Sequence, residues 1–219
     1  MKSIFAFDFS INKPAMCAYI NNKIYFYCWP LNIDSKTEEH IEYCNVIVRN
    51  RNLSAIDKKK FDSNSLTLEH IKRSNQLVKM IIDDIKQLIL DNNINVNDII
   101  VSSEGLSYGS KGDAMLNLAA YKQVFLNEIY NLGITNIKTY SPITIKKIAK
   151  CSGKEMQGKD KMINAILNID GIGTEHVFIK MLKGNPNFLK KKTAYMPTID
   201  DLVDAYWCFK TTLEKENIY

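Results

Sequence analysis

Asp201 and Asp204 stand three residues apart in the stretch running from Thr198 to Tyr206. On a helix that spacing makes them surface neighbours, with Cβ atoms roughly 5–6 Å apart. Two carboxylates so close repel unless a proton, a basic partner or a metal cation lies between them. Carboxylate oxygens are also the ligands that Mg²⁺ prefers. A local explanation competes. Pro197 and Thr198 open the helix, and Thr198 with Asp201 fits the Ser/Thr-x-x-Asp/Glu capping pattern. Acids in a first turn also favour the positive end of the helix dipole. That accounts for Asp200 and Asp201. It leaves Asp204, one turn further on between Val203 and Ala205, without an explanation.

Two more acids sit at the ends of expected strands. Along Ile4 to Phe9 the side chains of Phe5, Phe7 and Phe9 share one face, and Ile4, Ala6 and Asp8 share the other. A charge near the end of a buried strand is costly without a partner. A metal role and a cap on the following Ser10–Pro14 loop explain Asp8 equally well. Glu104 closes the strand Ile99–Glu104.

The elements that must position these acids follow from periodicity. Met16–Ile20 and Lys23–Cys28 are strands joined by the tight-turn dipeptide Asn21-Asn22, so the chain opens as a three-strand antiparallel meander. Leu66–Leu90 is a long amphipathic helix whose apolar positions include Ile71, Val78, Ile81, Ile82, Ile85, Leu88 and Ile89. Asp113 caps a helix over Ala114–Leu132, ended by Gly133. A short strand, Ile137–Tyr140, precedes a helix started by Ser141 and Pro142. A Gly/Lys loop over 151–158 leads to a helix over Lys159–Leu167, and the last helix runs from Ile199 to about Leu213. Trp29–Asn64 reads as a polar, irregular insertion with some helix around Glu38–Cys44; its Arg49, Arg51 and Lys58–Lys60 read first as a solvated basic face. Ile169–Met196 reads as a second insertion.

Composition bounds the answer without deciding it. The 219 residues are 46% hydrophobic, enough for a substantial core. The net charge of +5 suits a polyanionic partner but does not single one out. Five scattered cysteines with no C-x-x-C spacing argue against a disulfide framework or a zinc site and favour a reducing compartment. No apolar run reaches the ~18 residues of a membrane span, and the N-terminus lacks a signal-peptide layout.

Meander strands followed by alternating helices and strands imply a mixed sheet covered on both faces. If the first and fourth strands are parallel neighbours, Asp8 and Glu104 converge near one sheet edge. The final helix can bring Asp201 and Asp204 to the same place. Four carboxylates could hold two Mg²⁺ about 3.5–4 Å apart, the arrangement that runs in-line phosphodiester cleavage.

With those residues in view, the chain resembles the RuvC-type Holliday junction resolvases of the ribonuclease H-like superfamily. Asp8, Glu104 and Asp201-x-x-Asp204-Ala205 match that family's four-acid pattern in order and in secondary-structure setting. Ile145–Lys150, Gly153 and Lys159–Met162 resemble its basic helix–loop–helix segment, which contacts the scissile strand in relatives. The resemblance covers the core of a single 1–219 domain and leaves out two insertions, approximately 29–64 and 169–198. Phe9-Ser10 stands where bacterial members often have Pro-Gly, and Tyr108 comes one residue later than their aromatic wedge. The chain thus looks more like the divergent resolvases of phages.

The resemblance implies an α/β, ribonuclease H-like fold with a mixed five-stranded sheet flanked by helices. It implies a Mg²⁺-dependent crossover junction endodeoxyribonuclease of recombination and repair, with two ions per site and Mn²⁺ as a substitute. Asp8 would bridge the ions, Glu104 and Asp204 would each hold one, and Asp201 would complete the set. Lys146, Lys147, Lys150, Lys159 and Lys161 would bind DNA, and Tyr108 would stack on an unpaired base of a four-way junction. Taken without the resemblance, the lysines read equally as a solvated face and Tyr108 equally as a rim residue. Two symmetric cuts imply a homodimer. Its interface would include the long helices after the fourth strand, with Ala119, Ala120, Tyr121 and Phe125 either on that surface or in the monomer core. A cytoplasmic location follows, the host's if a phage encodes the chain.

The competing readings are another branch-, flap- or hybrid-cutting nuclease of the superfamily and a non-catalytic junction-binding protein. An actin-like ATP-binding protein also begins with a strand Asp, but it needs Gly-rich phosphate loops, and the 9 glycines here form none.

Overall fold

Strand alternation divides the core into two layers. In β1 (Ser3–Asp8), Ile4 and Ala6 enter one apolar cluster and Phe5 and Phe7 the other. β2 (Ala15–Ile20) and β3 (Lys23–Cys28) repeat the pattern and pair antiparallel with β1 and with each other. The turn between them holds Asn21 and Asn22 at φ 48° and 65°, the left-handed pair that a type I′ hairpin requires. The structure is a computed structural model that describes residues 2–54, 56–106, 112–151 and 159–218, apart from the side chains of Lys58 and Lys159.

The sheet is mixed, as expected, with one strand more than the expected five. Its order is β4-β3-β2-β1-β5-β6, where β5 is Ile99–Glu104 and β6 is Ile137–Tyr140. The extra strand, β4 (Val46–Val48), comes from the stretch read as irregular and runs parallel to β3 at the edge. Three residues are too few to show a periodicity, which is why the sequence hides it. The same stretch carries α1 (Ser35–Tyr43), capped by the Asp34 side chain accepting from the Thr37 N–H.

One face of the sheet carries α2 (Ser63–Asp91) and α3 (Asp113–Asn131). Leu77, Val78, Ile81, Ile82, Ile85 and Leu88 of α2 are buried, whereas Ile71 is 51% exposed. Gly112, with φ 82°, takes the cap position of α3, so Asp113 is its first residue and not its cap. Gly133 at φ 84° ends that helix as expected. Tyr121 and Phe125 are buried in this layer, which removes them from any surface for a second subunit; Ala120 stays exposed.

The other face carries α4 (Pro142–Ile148), α5 (Lys159–Leu167), α6 (Val177–Gly184) and α7 (Ile199–Lys215), with a small hairpin of β7 (Lys190–Lys191) and β8 (Ala194–Tyr195). α7 packs across β1, β2 and β5 and is flanked by α4 and α5, so most of its residues are buried. The Thr212 and Ser102 hydroxyl oxygens hydrogen-bond at 2.7 Å, tying the helix to β5. Among the described residues no helix is long and apolar enough to cross a membrane.

Candidate active site

The β1–β5 pairing sets the site. The two strands are parallel, with Phe7 opposite Ser103, so Asp8 and Glu104 follow side by side at the ends of adjacent strands. Asp8 shares its face with Ile4 and Ala6, and Glu104 shares its face with Ile100 and Ser102. Both therefore point to the α7 side. α7 starts there, with Asp201 buried in its first turn and Asp204 half-buried one turn later.

The four expected acids form one electrostatic cluster. Burial pushes the Asp8 carboxyl well above the usual carboxylate range, and Asp204, Asp201, Glu104 and Asp200 push it further, in that order. Burial also raises Glu104, against the opposing pull of Lys146 and Lys122. Asp200, read as a simple helix-end acid, thus contributes to the charge that Asp8 feels.

The helix entry departs from the capping pattern. Thr198 is fully buried with φ 79°, a left-handed conformation, and its side chain makes no cap hydrogen bond. A β-branched residue there is strained by roughly 1–3 kcal/mol and persists only because its surroundings hold it. The Thr198 half of the capping box is therefore not made, and Asp201 sits in the first turn, where the helix-end charge favours an acid. In the loop after β1 the Lys13 N–H goes to Ser10 Oγ at 3.0 Å, so Ser10 supplies a cap that Asp8 was considered for.

Donor chemistry fits hard divalent cations: carboxylate oxygens gathered at a partly buried edge, with repulsion that a cation would relieve. Among the described residues no three His, Cys, Asp or Glu side chains are grouped closely enough to hold a metal ion. The acids form a charged cluster, not a closed coordination shell.

Two cations beside the cluster, Lys13 and Lys122, have no place in the sequence reading, and Arg51 has a different one from that expected. Lys13 Nζ stands 4.0 Å from Asp201 Oδ2. Lys122, on α3, is 7% exposed and its Nζ donates to the Glu104 carbonyl oxygen. Burial lowers the Lys122 ammonium's proton affinity, while Cys208, Glu104 and Asp8 support its charge. Its signal was present: Lys122, Phe125 and Ile129 follow helical spacing, placing a lysine in a buried stripe. Arg51 is 5% exposed, not part of a solvated face, and donates to the backbone of the loop after Asp8. Arg49 forks onto Asp84, with Nη2 and Oδ1 3.0 Å apart, and Asp84 also accepts from Trp29 Nε1.

Of the expected DNA-binding lysines, Lys146 bears on Glu104 from the exposed last turn of α4, with Lys147 beside it. Lys150 and Lys161 line a cavity along the C-terminal half of α7, with Trp207 and Lys210. Lys159 opens α5, and its side chain lies outside the description. Tyr108 lies outside the described residues.

No family model and no curated protein sequence matches the chain significantly. Solved structures do. Thermus thermophilus RuvC is 10% identical and aligns over 98% of this chain and 96% of its own, with a TM-score of 0.51. The fold is RuvC-like. T. thermophilus RuvC in complex with a Holliday junction substrate is 8% identical over 99% of this chain and 96% of its own, with a TM-score of 0.50. At such identities the likeness to RuvC is one of backbone path.

Proposed function

We propose that the chain is a structure-specific endodeoxyribonuclease that resolves four-way DNA junctions by metal-dependent phosphodiester hydrolysis. The observation that supports this most is the meeting of Asp8, Glu104, Asp201 and Asp204 at one edge of a RuvC-like sheet. Asp8, Glu104, Asp201 and Asp204 would hold the cations. Mg²⁺ or Mn²⁺ bound there would supply Lewis acidity, to activate water and to stabilise the leaving 3′ oxygen.

The chain's own groups do the positioning. Strands β1 and β5 fix Asp8 and Glu104 on rigid backbone, and α7 fixes the other two acids, so little reorganisation is needed at the moment of cutting. Lys146 and Lys147, with Lys150, Lys159 and Lys161 further along the same segment, would hold phosphates of the cleaved strand. Such contacts set register without reading sequence. Tyr108 would stack on an unpaired base at the junction centre, worth ~1–3 kcal/mol. A junction has two strands to cut symmetrically, so a homodimer is the working unit in this proposal.

The test is cleavage of an immobile four-way DNA junction in Mg²⁺ by wild type and Asp204→Asn. Paired symmetric nicks from wild type alone are expected. Tight binding without cutting by either protein would replace the nuclease with a junction-binding module. Equal cutting by both would refute the site.

A further inference from the structure

The loop after Asp8 is held by an unusual clamp. Arg51 sits on the stretch that sequence reading set aside as an insertion. Its Nη2 donates to the Ile11 carbonyl at 2.7 Å and the Asn12 carbonyl at 2.9 Å, and its Nε to the Trp29 carbonyl at 2.9 Å. A guanidinium has five donors in a rigid fork, which suits several acceptors at once. Burying it is costly, and burial lowers its pKa to about 10. These three acceptors are all backbone oxygens, two of them in one loop. Further backbone bonds lock the same loop: Leu31 N–H to the Asn12 carbonyl at 2.7 Å and Trp29 N–H to the Pro14 carbonyl at 3.0 Å. The loop is thus fixed from below, and between its fixed residues it presents Lys13.

Lys13 is the only residue of that loop with a charged side chain. Its ammonium is 4.0 Å from Asp201 Oδ2, beyond a hydrogen bond, and its side chain is 38% exposed. At this separation, with the ammonium partly exposed to water, the ion pair is weak. It therefore does little for stability and leaves the ammonium available to a stronger anion arriving beside the acids. A phosphodiester at that position is one, and a lysine binds phosphate as a point charge.

Building on the nuclease reading above, we propose that Lys13 contacts the phosphate being cut, and that Arg51 is a positioning residue that acts through Lys13 by fixing its loop. The first insertion then has a role: it delivers the clamp that holds a substrate-contacting cation against the acidic edge.

The experiment measures single-turnover cleavage of the four-way junction in Mg²⁺, with junction affinity across a salt series, for Lys13→Met, Arg51→Lys, Ser10→Ala and the doubles of the last two with Lys13→Met. Ser10→Ala loosens the loop by removing the acceptor of the Lys13 N–H, and it keeps the clamp testable should Arg51→Lys fail to fold. Lys13→Met is expected to slow cleavage on the order of 10²-fold and to reduce the salt slope of binding by about one. Arg51→Lys and Ser10→Ala are expected to slow it by about tenfold or more in the wild-type background and to have no further effect once Lys13 is Met. Unchanged rate and salt slope in Lys13→Met, with wild type active, would overturn the phosphate contact. Effects of the loop variants that multiply with that of Lys13→Met would overturn the positioning role. An inactive wild type would instead refute the nuclease reading and this inference with it.

Discussion

Asp8 and Glu104 end adjacent parallel strands at the same level, because Phe7 pairs with Ser103 one step before them. Neighbouring strands lie about 4.8 Å apart, so two carboxylates lie side by side at an edge to which α7 adds the charge of two more. The fold concentrates negative charge where burial already penalises it. This is a stability cost.

Asp8→Asn removes a charge that burial and the neighbouring acids disfavour. It is expected to abolish junction cleavage, retain junction binding and raise the stability of the metal-free protein by roughly 0.5–2 kcal/mol. Thermal melts at neutral pH alongside a gel-shift assay check this. A lower melting temperature than wild type would contradict the repulsive cluster.

Divalent cations are expected to stabilise the wild type. At about 100 times the dissociation constant the gain is ~2.7 kcal/mol. Melts in Mg²⁺ and Mn²⁺ read it directly, and the double variant Asp8→Asn, Asp204→Asn is expected to lose most of the shift. Equal shifts in both proteins would move the cation elsewhere.

Lys146 bears on Glu104 from an exposed turn. Lys146→Met is expected to weaken junction binding for all sequences alike and to reduce the log–log salt slope by about one. Its melting temperature stays near that of wild type, because the side chain is solvated. A slope unchanged from wild type would leave Lys146 without a phosphate.

His176 packs edge-on against Phe26, and its Nδ1 accepts from the Phe178 N–H to cap α6. Burial lowers its pKa from 6.5 to about 4. Between those values the unfolded chain binds a proton that the folded chain does not, so stability rises with pH there and is lost as pH falls from 6.5 towards 4. The full effect is about 3 kcal/mol. His176→Asn keeps a capping acceptor and removes the titration. Its melting temperature is expected to vary less with pH across this window than that of wild type.

Thr212 holds α7 to β5 through Ser102. Thr212→Val keeps the shape and deletes the buried donor, at an expected cost of about 1–3 kcal/mol. Thr212→Ser is expected to recover most of it. Equal denaturation midpoints for wild type and the valine variant would show that the bond contributes nothing.

The sequence alone carried the frame of this protein. Alternation in Ile4–Phe9, the Asn21-Asn22 turn and the helical stripe of α2 are local signals, and local signals survive without a fold. They also placed Asp8 and Glu104 at strand ends and Asp201 and Asp204 on one helix. Tertiary structure decided the rest, because it depends on residues far apart in the chain. β4 exists only because β3 offers an open edge to three residues of weak pattern. Thr198 abandons the capping geometry its sequence suggests, since packing of the chain around it outweighs a local hydrogen bond. Lys13 and Lys122 belong to separate segments, and nothing in their spacing shows that they meet at one acidic edge, or that Arg51 holds the loop carrying Lys13. Charges so separated in sequence acquire a relationship only when the sheet brings their backbones together, and burial then makes that relationship strong.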